Sequence, residues 1–285
     1  MIDFPIIDSH VHLLDQQCFG YGWAKGAPAL KRDWKPDDLA EGARPAAIDG
    51  FVFVEVDVDM PQYLDEADWV DELAKRDPRL LGAVVCLPLE RGKGIEPEMA
   101  RVAKLKVVRG VRRLIQNQPD PDFMLKPDFL DALKLLPSYG LSFDICIFHH
   151  HLPYALKMVR QCPDVAFILD HVAKPGIKAG LLDPWRDQMR AFATLPNVTC
   201  KLSGLTTEAD HQSWTREQLR PYIDHVLESF GPNRVMYGGD WPVSELAGRY
   251  GQWLDALDWA TADRSPADRR KLFRDNAIKA YRLNL

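Results

Sequence analysis

Near the start of the chain lies the run Asp8-Ser9-His10-Val11-His12, in which two imidazoles are separated by a single residue. The segment before them, Phe4-Pro5-Ile6-Ile7, is short and apolar and reads as a buried strand. Side chains alternate across a strand, so His10 and His12 leave the backbone on the same side. Two imidazoles so placed can converge on one divalent cation, or on a substrate held between them. Other reactive groups stand in the same relation to apolar runs. Glu55 ends Phe51-Val52-Phe53-Val54, and Arg112-Arg113 ends a later run. His149, His150 and His151 follow another, while Asp170, His171 and then Lys174 close the next. Lys201 and Ser203 share a face of a seventh run, and Gly238-Gly239-Asp240-Trp241 ends an eighth.

The elements that must position these groups follow from the spacing. Eight apolar, β-rich runs are expected as strands at 6–12, 50–56, 81–87, 107–114, 141–147, 166–172, 198–204 and 234–241. Amphipathic patterns between them predict helices at 98–105, 128–136, 152–160, 185–194 and 222–230. The last has Pro221 in its first turn and Gly231-Pro232 closing it. This alternation implies parallel strands with crossover helices, and the count of eight points to a closed (β/α)8 TIM barrel of the α/β class. No Ser/Gly-rich linker divides the chain, so a single domain over 1–285 is expected. In such a barrel the chemistry sits at the C-terminal ends of the strands. The irregular stretch 13–36, with Phe19, Tyr21, Trp23 and Trp34, then overhangs the mouth as an active-site loop, with Trp34 packing it down.

Composition narrows the partners. A hydrophobic fraction of 46% in 285 residues is ample for one core. A formal net charge of −5 argues against nucleic acid or an anionic membrane as partner. Asp3 and Asp8 stand where a secretory signal would be apolar, and no run of about 18 apolar residues exists to span a bilayer. Five cysteines, at 18, 86, 146, 162 and 200, show no CxxC spacing, so a reduced, cytoplasmic protein is expected.

His10, His12 and Asp240, completed by Glu55 or His171, make a ligand set for one hard or borderline cation, zinc or manganese. Glu55 and Arg112 can alternatively pair with each other. Asp170 directly precedes His171 and is therefore expected to point away from the barrel interior.

The order IIDSHVHLLD, GYGW, LKRDWKPDDL, GVRRLIQ, ILDHVAKPG, KLSGL, YGGDWPV and FRDNAIKAYRL resembles the amidohydrolase superfamily. Within it, the sequence resembles the amidohydrolase-2 family and its branch of sugar lactonases, similar to L-fuconolactonase and L-rhamnonolactonase. The resemblance runs from about residue 5 to the C-terminus; Gly239 stands where related sequences often carry serine. It implies hydrolysis of a small-molecule aldonolactone of L-fucono-, L-rhamnono- or galactono-type. Asp240 matches the carboxylate that activates water, and His10, His12 and His171 match the strand-one and strand-six histidines. Arg112 or Lys201, or a metal, would stabilise the oxyanion, with His171 assisting. Trp23 and Trp241 would lie against the sugar ring, and Glu55, His149 and His151 would contact substrate. The fourth strand holds arginines and no lysine of the kind that bridges two metals in related barrels, so at most one metal is expected. Some lactonases of the branch work without one. Two other readings stand beside this: a metal-dependent decarboxylase whose carboxylate substrate meets Arg112, and a carbohydrate-binding barrel without activity.

Overall fold

Val, Ile and Phe, which suit a pleated and buried surface, dominate the strands of the computed structural model, which describes residues 2–285. The strands are β1 (Ile6–Val11), β2 (Ile48–Val54), β3 (Leu80–Cys86), β4 (Val108–Arg112), β5 (Ser142–Ile145), β6 (Phe167–Leu169), β7 (Val198–Leu202) and β8 (Val235–Tyr237). Helices α1 (Pro36–Gly42), α2 (Tyr63–Ala74) and α3 (Glu96–Val102) follow the first three strands in turn. After β4 to β7 come α4 (Pro127–Leu135), α5 (Leu152–Gln161), α6 (Trp185–Ala193) and α7 (Arg216–Phe230). The chain ends with α8 (Tyr250–Ala260), α9 (Pro266–Arg270) and α10 (Asn276–Tyr281).

Neighbouring strands pair in parallel in the order β1 to β8, giving the (β/α)8 barrel expected from the alternation. The seam between β8 and β1 is joined by a parallel bridge of Val11 with Trp241. There His12 N–H donates to the Trp241 carbonyl at 2.7 Å, and Asp240 N–H to the His10 carbonyl at 2.9 Å. Backbone pairing therefore sets His10, His12 and Asp240 side by side before any side-chain contact is made.

Ile7, Val52, Val54, Val84, Ile168 and Met236 fill the lower barrel, with Tyr281 and Leu283 of the C-terminal segment packed among them. With Ile7 in that cluster, strict alternation would turn His10 and His12 outward. The pairing register of β1 with β2 shifts between Asp8 and Val11, as a bulge does, and both histidines enter the interior. Asp8 points the other way and ties the seam. Its carboxylate accepts from His10 N–H at 2.9 Å, Gly239 N–H at 2.8 Å and the Tyr250 hydroxyl at 2.9 Å. A Cβ at position 239 would stand 2.4 Å from both Asp8 Oδ2 and the Tyr250 ring, so this packing demands glycine there.

One boundary is corrected. Helix α7 begins six residues before the expected start, because Thr215 and Gln218 cap it reciprocally, at 3.0 and 3.4 Å. Pro221 therefore lies inside the helix rather than in the first turn of one starting at 222. The 13–36 stretch is held by an antiparallel bridge of Leu14 with Trp34 and contains two short 3-10 turns, Gly22–Gly26 and Pro28–Leu30. All five cysteines are free thiols, and no described helix is long and apolar enough to cross a membrane.

The Asp8 clamp leads to a stability prediction. Asp8→Ala strands three donors, two of them buried backbone amides, so unfolding in urea should show a loss on the order of 3 kcal/mol or more. A loss under about 0.5 kcal/mol, the scale of a surface substitution, would show that the seam does not depend on this carboxylate.

Candidate active site

At the C-terminal end of the barrel, His10 Nε2 and His12 Nε2 are 3.2 Å apart. Asp240 Oδ1 lies 3.7 Å from His10 Nε2, 3.5 Å from His12 Nε2 and 3.9 Å from His171 Nε2. Four nitrogen and oxygen donors thus converge on one point. His12 Nδ1 donates to the Val54 carbonyl at 2.8 Å, which leaves the Nε2 lone pair facing the cluster. His171 Nδ1 shares a hydrogen bond with Ser203 Oγ at 2.9 Å. Burial pushes His171 well below the usual imidazole value although Asp240 opposes it. Burial and the charge of Lys201 do the same to His10. Both rings are therefore neutral near pH 7 and able to ligate. Burial raises the Asp240 carboxyl, and the imidazoles and Lys174 oppose it, leaving it below the usual range.

Donors bound tetrahedrally to a zinc-sized cation at about 2.0–2.2 Å lie roughly 3.3–3.6 Å from one another. The separations of 3.2–3.9 Å seen here fit such an ion. His10, His12 and Asp240 form one group of buried ligand atoms within 4.8 Å of one another, and His10, Asp170 and His171 form another.

His171 reaches the site by an irregular route. Strand β6 stops at Leu169, and residues His171 to Lys174 all adopt positive φ, from 48 to 60°. A β-branched residue such as Val172 is costly in that region, and the turn is held from outside. Trp185 Nε1 donates to the Val172 carbonyl at 2.8 Å, and His149 Nδ1 to that of Lys174 at 2.9 Å. Gly204, itself at φ +64°, makes room for the result: a Cβ there would meet His171 Nδ1 at 2.7 Å and Asp240 Oδ2 at 3.1 Å.

Several expected positions are corrected. Asp170 follows Ile168 by two residues on β6 and therefore points inward, not away. Its Oδ1 lies 3.4 Å from His10 Nδ1 and 3.0 Å from Lys201 Nζ. The left-handed turn after it then brings His171 inward as well. Lys201 is fully buried beneath the site, ion-paired with Asp144 at 2.7 Å and Asp170, so its charge is spent there. Glu55 is not with the histidines. It pairs with Arg112 Nε at 2.6 Å and accepts Asp57 N–H at 2.8 Å. Arg112 borders the cavity, but its other nitrogens donate to the Glu55 carbonyl and to Asp170. Trp241 is buried edge-on against Trp34, at 5.0 Å between rings, and does not border the cavity above the histidines. His149 braces the turn at Lys174, and buried His151 turns its Nδ1 to the Phe148 amide.

Above the cluster opens a cavity of about 330 Å³ bordered by His12, His171 and Asp240. Trp23 is 38% exposed at its edge, with Nε1 donating to the Val56 carbonyl at 2.7 Å, as the overhanging loop implied. Asp57, Gln116, Cys146, Phe148 and Glu208 also border it and were not singled out in the sequence. Cys146 follows by alternation from Asp144. The others lie on loops, where no periodicity marks direction.

Residues 7–283 match the amidohydrolase family, and the chain belongs to it. It is 32% identical over 284 residues to an L-fucono-1,5-lactonase of Burkholderia ambifaria, covering 98% of this chain and 96% of that protein. An L-rhamnono-gamma-lactonase of Scheffersomyces stipitis is 24% identical, covering 99% of this chain and all of the relative. Among solved structures, an amidohydrolase of Burkholderia multivorans with bound zinc superposes with a TM-score of 0.89 at 30% identity, covering 99% of this chain and 100% of that one.

One buried acid beside the mouth gives a pH signature. Glu66 on α2 accepts Val56 N–H at 3.1 Å, and burial together with the charge of Glu55 raises its carboxyl well above the ordinary value. The folded protein then holds a proton that the unfolded chain releases, so this group's contribution to stability falls as pH rises above about 4.3, until the folded value is passed. Glu66→Gln removes that dependence. Thermal unfolding from pH 5 to 8 should show the variant gaining on the wild type by up to about 1.4 kcal/mol per pH unit. Parallel curves would mean that Glu66 is ionised in the fold.

Proposed function

We propose that the protein hydrolyses an aldonolactone to its open-chain aldonic acid, using one divalent cation, zinc. The observation that carries this is a single carboxylate, Asp240, set 3.5–3.9 Å from three imidazole nitrogens on the floor of the cavity. His10, His12 and Asp240 would hold the ion, with His171 beside them. When bound, it supplies a Lewis acid for the lactone carbonyl and charge to balance the oxyanion. The bound zinc of the Burkholderia multivorans neighbour and the lactonase activities of the two named relatives support the same reading.

Asp240 Oδ1 faces the imidazoles, and the carboxylate borders the cavity. A water in that cavity loses a proton to the Asp240 carboxylate as its oxygen bonds to the carbonyl carbon. His171, which borders the same cavity with its Nε2 toward Asp240, would help position that water. The bond between carbonyl carbon and ring oxygen then breaks. The ring oxygen takes the proton back from Asp240 and leaves as a hydroxyl, so acid and alcohol stay in one product. The decarboxylase reading loses its anchor, since the arginine meant for a substrate carboxylate is already committed to Glu55 and Asp170.

Proton release from a panel of five- and six-membered aldonolactones tests the reading. Turnover above spontaneous hydrolysis is expected, and its absence for every member would overturn it. Asp240→Asn keeps the size but removes the base, so a folded variant should lose about 100-fold or more in rate. Near-normal turnover would pass the role to His171. Removing metal with a chelator should abolish activity, with zinc restoring it; full activity at background metal would remove the ion from the mechanism.

A further inference from the structure

We propose that Asp57 and Glu208 select the substrate, accepting hydrogen bonds from hydroxyl groups of a neutral, polyhydroxylated lactone on two sides of the reacting carbonyl. The inference rests on the lactonase reading above. Asp57 follows β2 and Glu208 follows β7, so they flank β1 and β8, which supply His10, His12 and Asp240. Both border the cavity and both are half-buried.

These two carboxylates differ from the other buried acids of the barrel. Glu55, Asp144 and Asp170 each have a cationic partner. Among the described residues, neither the Asp57 nor the Glu208 carboxylate has a hydrogen bond or ion pair with the protein. A half-buried carboxylate without a donor is unfavourable, and a substrate hydroxyl is the donor that corrects it. Asp57 is also held in a left-handed conformation, at φ +50°. Its N–H is fixed to Glu55 Oε2 at 2.8 Å, and Glu55 is fixed in turn by Arg112. The surroundings thus impose a strained backbone on a residue whose side chain they leave unpaired, an arrangement with a use only if something enters the cavity. Glu208 is anchored through its carbonyl, which accepts Lys178 N–H at 3.0 Å.

Unpaired acceptors decide which lactone enters. Arg112 is neutralised by its partners, and the remaining buried-side cation is Lys174, which donates to Gln116 Oε1 at 2.5 Å over the Phe148 ring. Asp57, Glu208 and Asp240 face the same space. A carboxylated or sulfonated lactone would set its charge beside Asp57 and Glu208 and offer them no donor, whereas a sugar lactone brings several O–H donors and no charge. Neighbouring hydroxyls on one ring can both donate to one carboxylate, and Trp23 and Phe148 offer apolar faces to the ring carbons.

The experiment compares wild type, Asp57→Asn and Glu208→Gln, all with zinc content verified, on three probes. These are the best aldonolactone of the panel, δ-valerolactone, which has no hydroxyl, and a carboxylated pyrone lactone. Each variant should lose about 10-fold or more in kcat/KM on the aldonolactone, chiefly through KM, while δ-valerolactone stays within about twofold. Hydrolysis of the carboxylated lactone should rise. Equal losses on both uncharged probes would show a structural or catalytic role and overturn the inference, as would unchanged kinetics on the aldonolactone. A wild type that opens no hydroxylated lactone overturns both readings. One that opens them with both variants unimpaired overturns this inference alone.

Discussion

An ionised side chain inside a closed parallel barrel has lost its water and must be repaid by a partner, and the rest of this structure follows from how that is done. Breaking one buried pair typically costs about 3–5 kcal/mol, comparable to a large part of a domain's net stability. Lys201, Asp144 and Asp170 answer one another below the histidines, and Arg112 answers Glu55 and Asp170 beside them. Once those pairs are made, Asp240 is left facing imidazoles rather than a fixed cation. That is what leaves it free for a proton or an ion.

The barrel divides accordingly along its axis. Below, apolar side chains from β1, β2, β3, β6 and β8 pack around Tyr281 and Leu283, and no residue of this cluster takes a positive φ. Above, the backbone differs. Asp57, Asp240 and the whole segment from His171 to Lys174 take positive φ, and Gly204 does so where a side chain would collide with two reacting groups. Strain of this kind persists only where surroundings over-determine it. Here they are identifiable: Trp185 and His149 on the β6 turn, Glu55 on Asp57, and the His10 carbonyl on the Asp240 amide.

The seam between β1 and β8 links the two halves. Asp8 faces outward and closes it with three hydrogen bonds, while the residues two and four positions later face inward and form the site. One bulged strand therefore carries both the clamp and the ligands. The loop after it sends Trp23 to the edge of the cavity and packs Trp34 against Trp241, so the same stretch supplies a cavity wall and its own anchor.

Strand and helix periodicity determined the barrel, its single core and the ends of strands where chemistry collects, because hydrophobic alternation is a local property of the chain. The shared face of His10 and His12 survived a register shift between Asp8 and Val11, since their Nε2 atoms still meet at 3.2 Å. Asp240 was legible because its strand keeps its alternation through Met236 and Gly238. Where parity breaks, the sequence misled: Asp170 and His171 both enter the interior, which alternation forbids and four left-handed residues permit. Direction was likewise hidden at Trp241, His149 and His151, which turn to packing or to backbone groups of other segments. Which charges are spent and which are free was beyond the sequence altogether. Arg112 meets Glu55 and Lys201 meets Asp144 across 57 residues each, and only the curvature of the barrel brings together such partners from strands that are not adjacent.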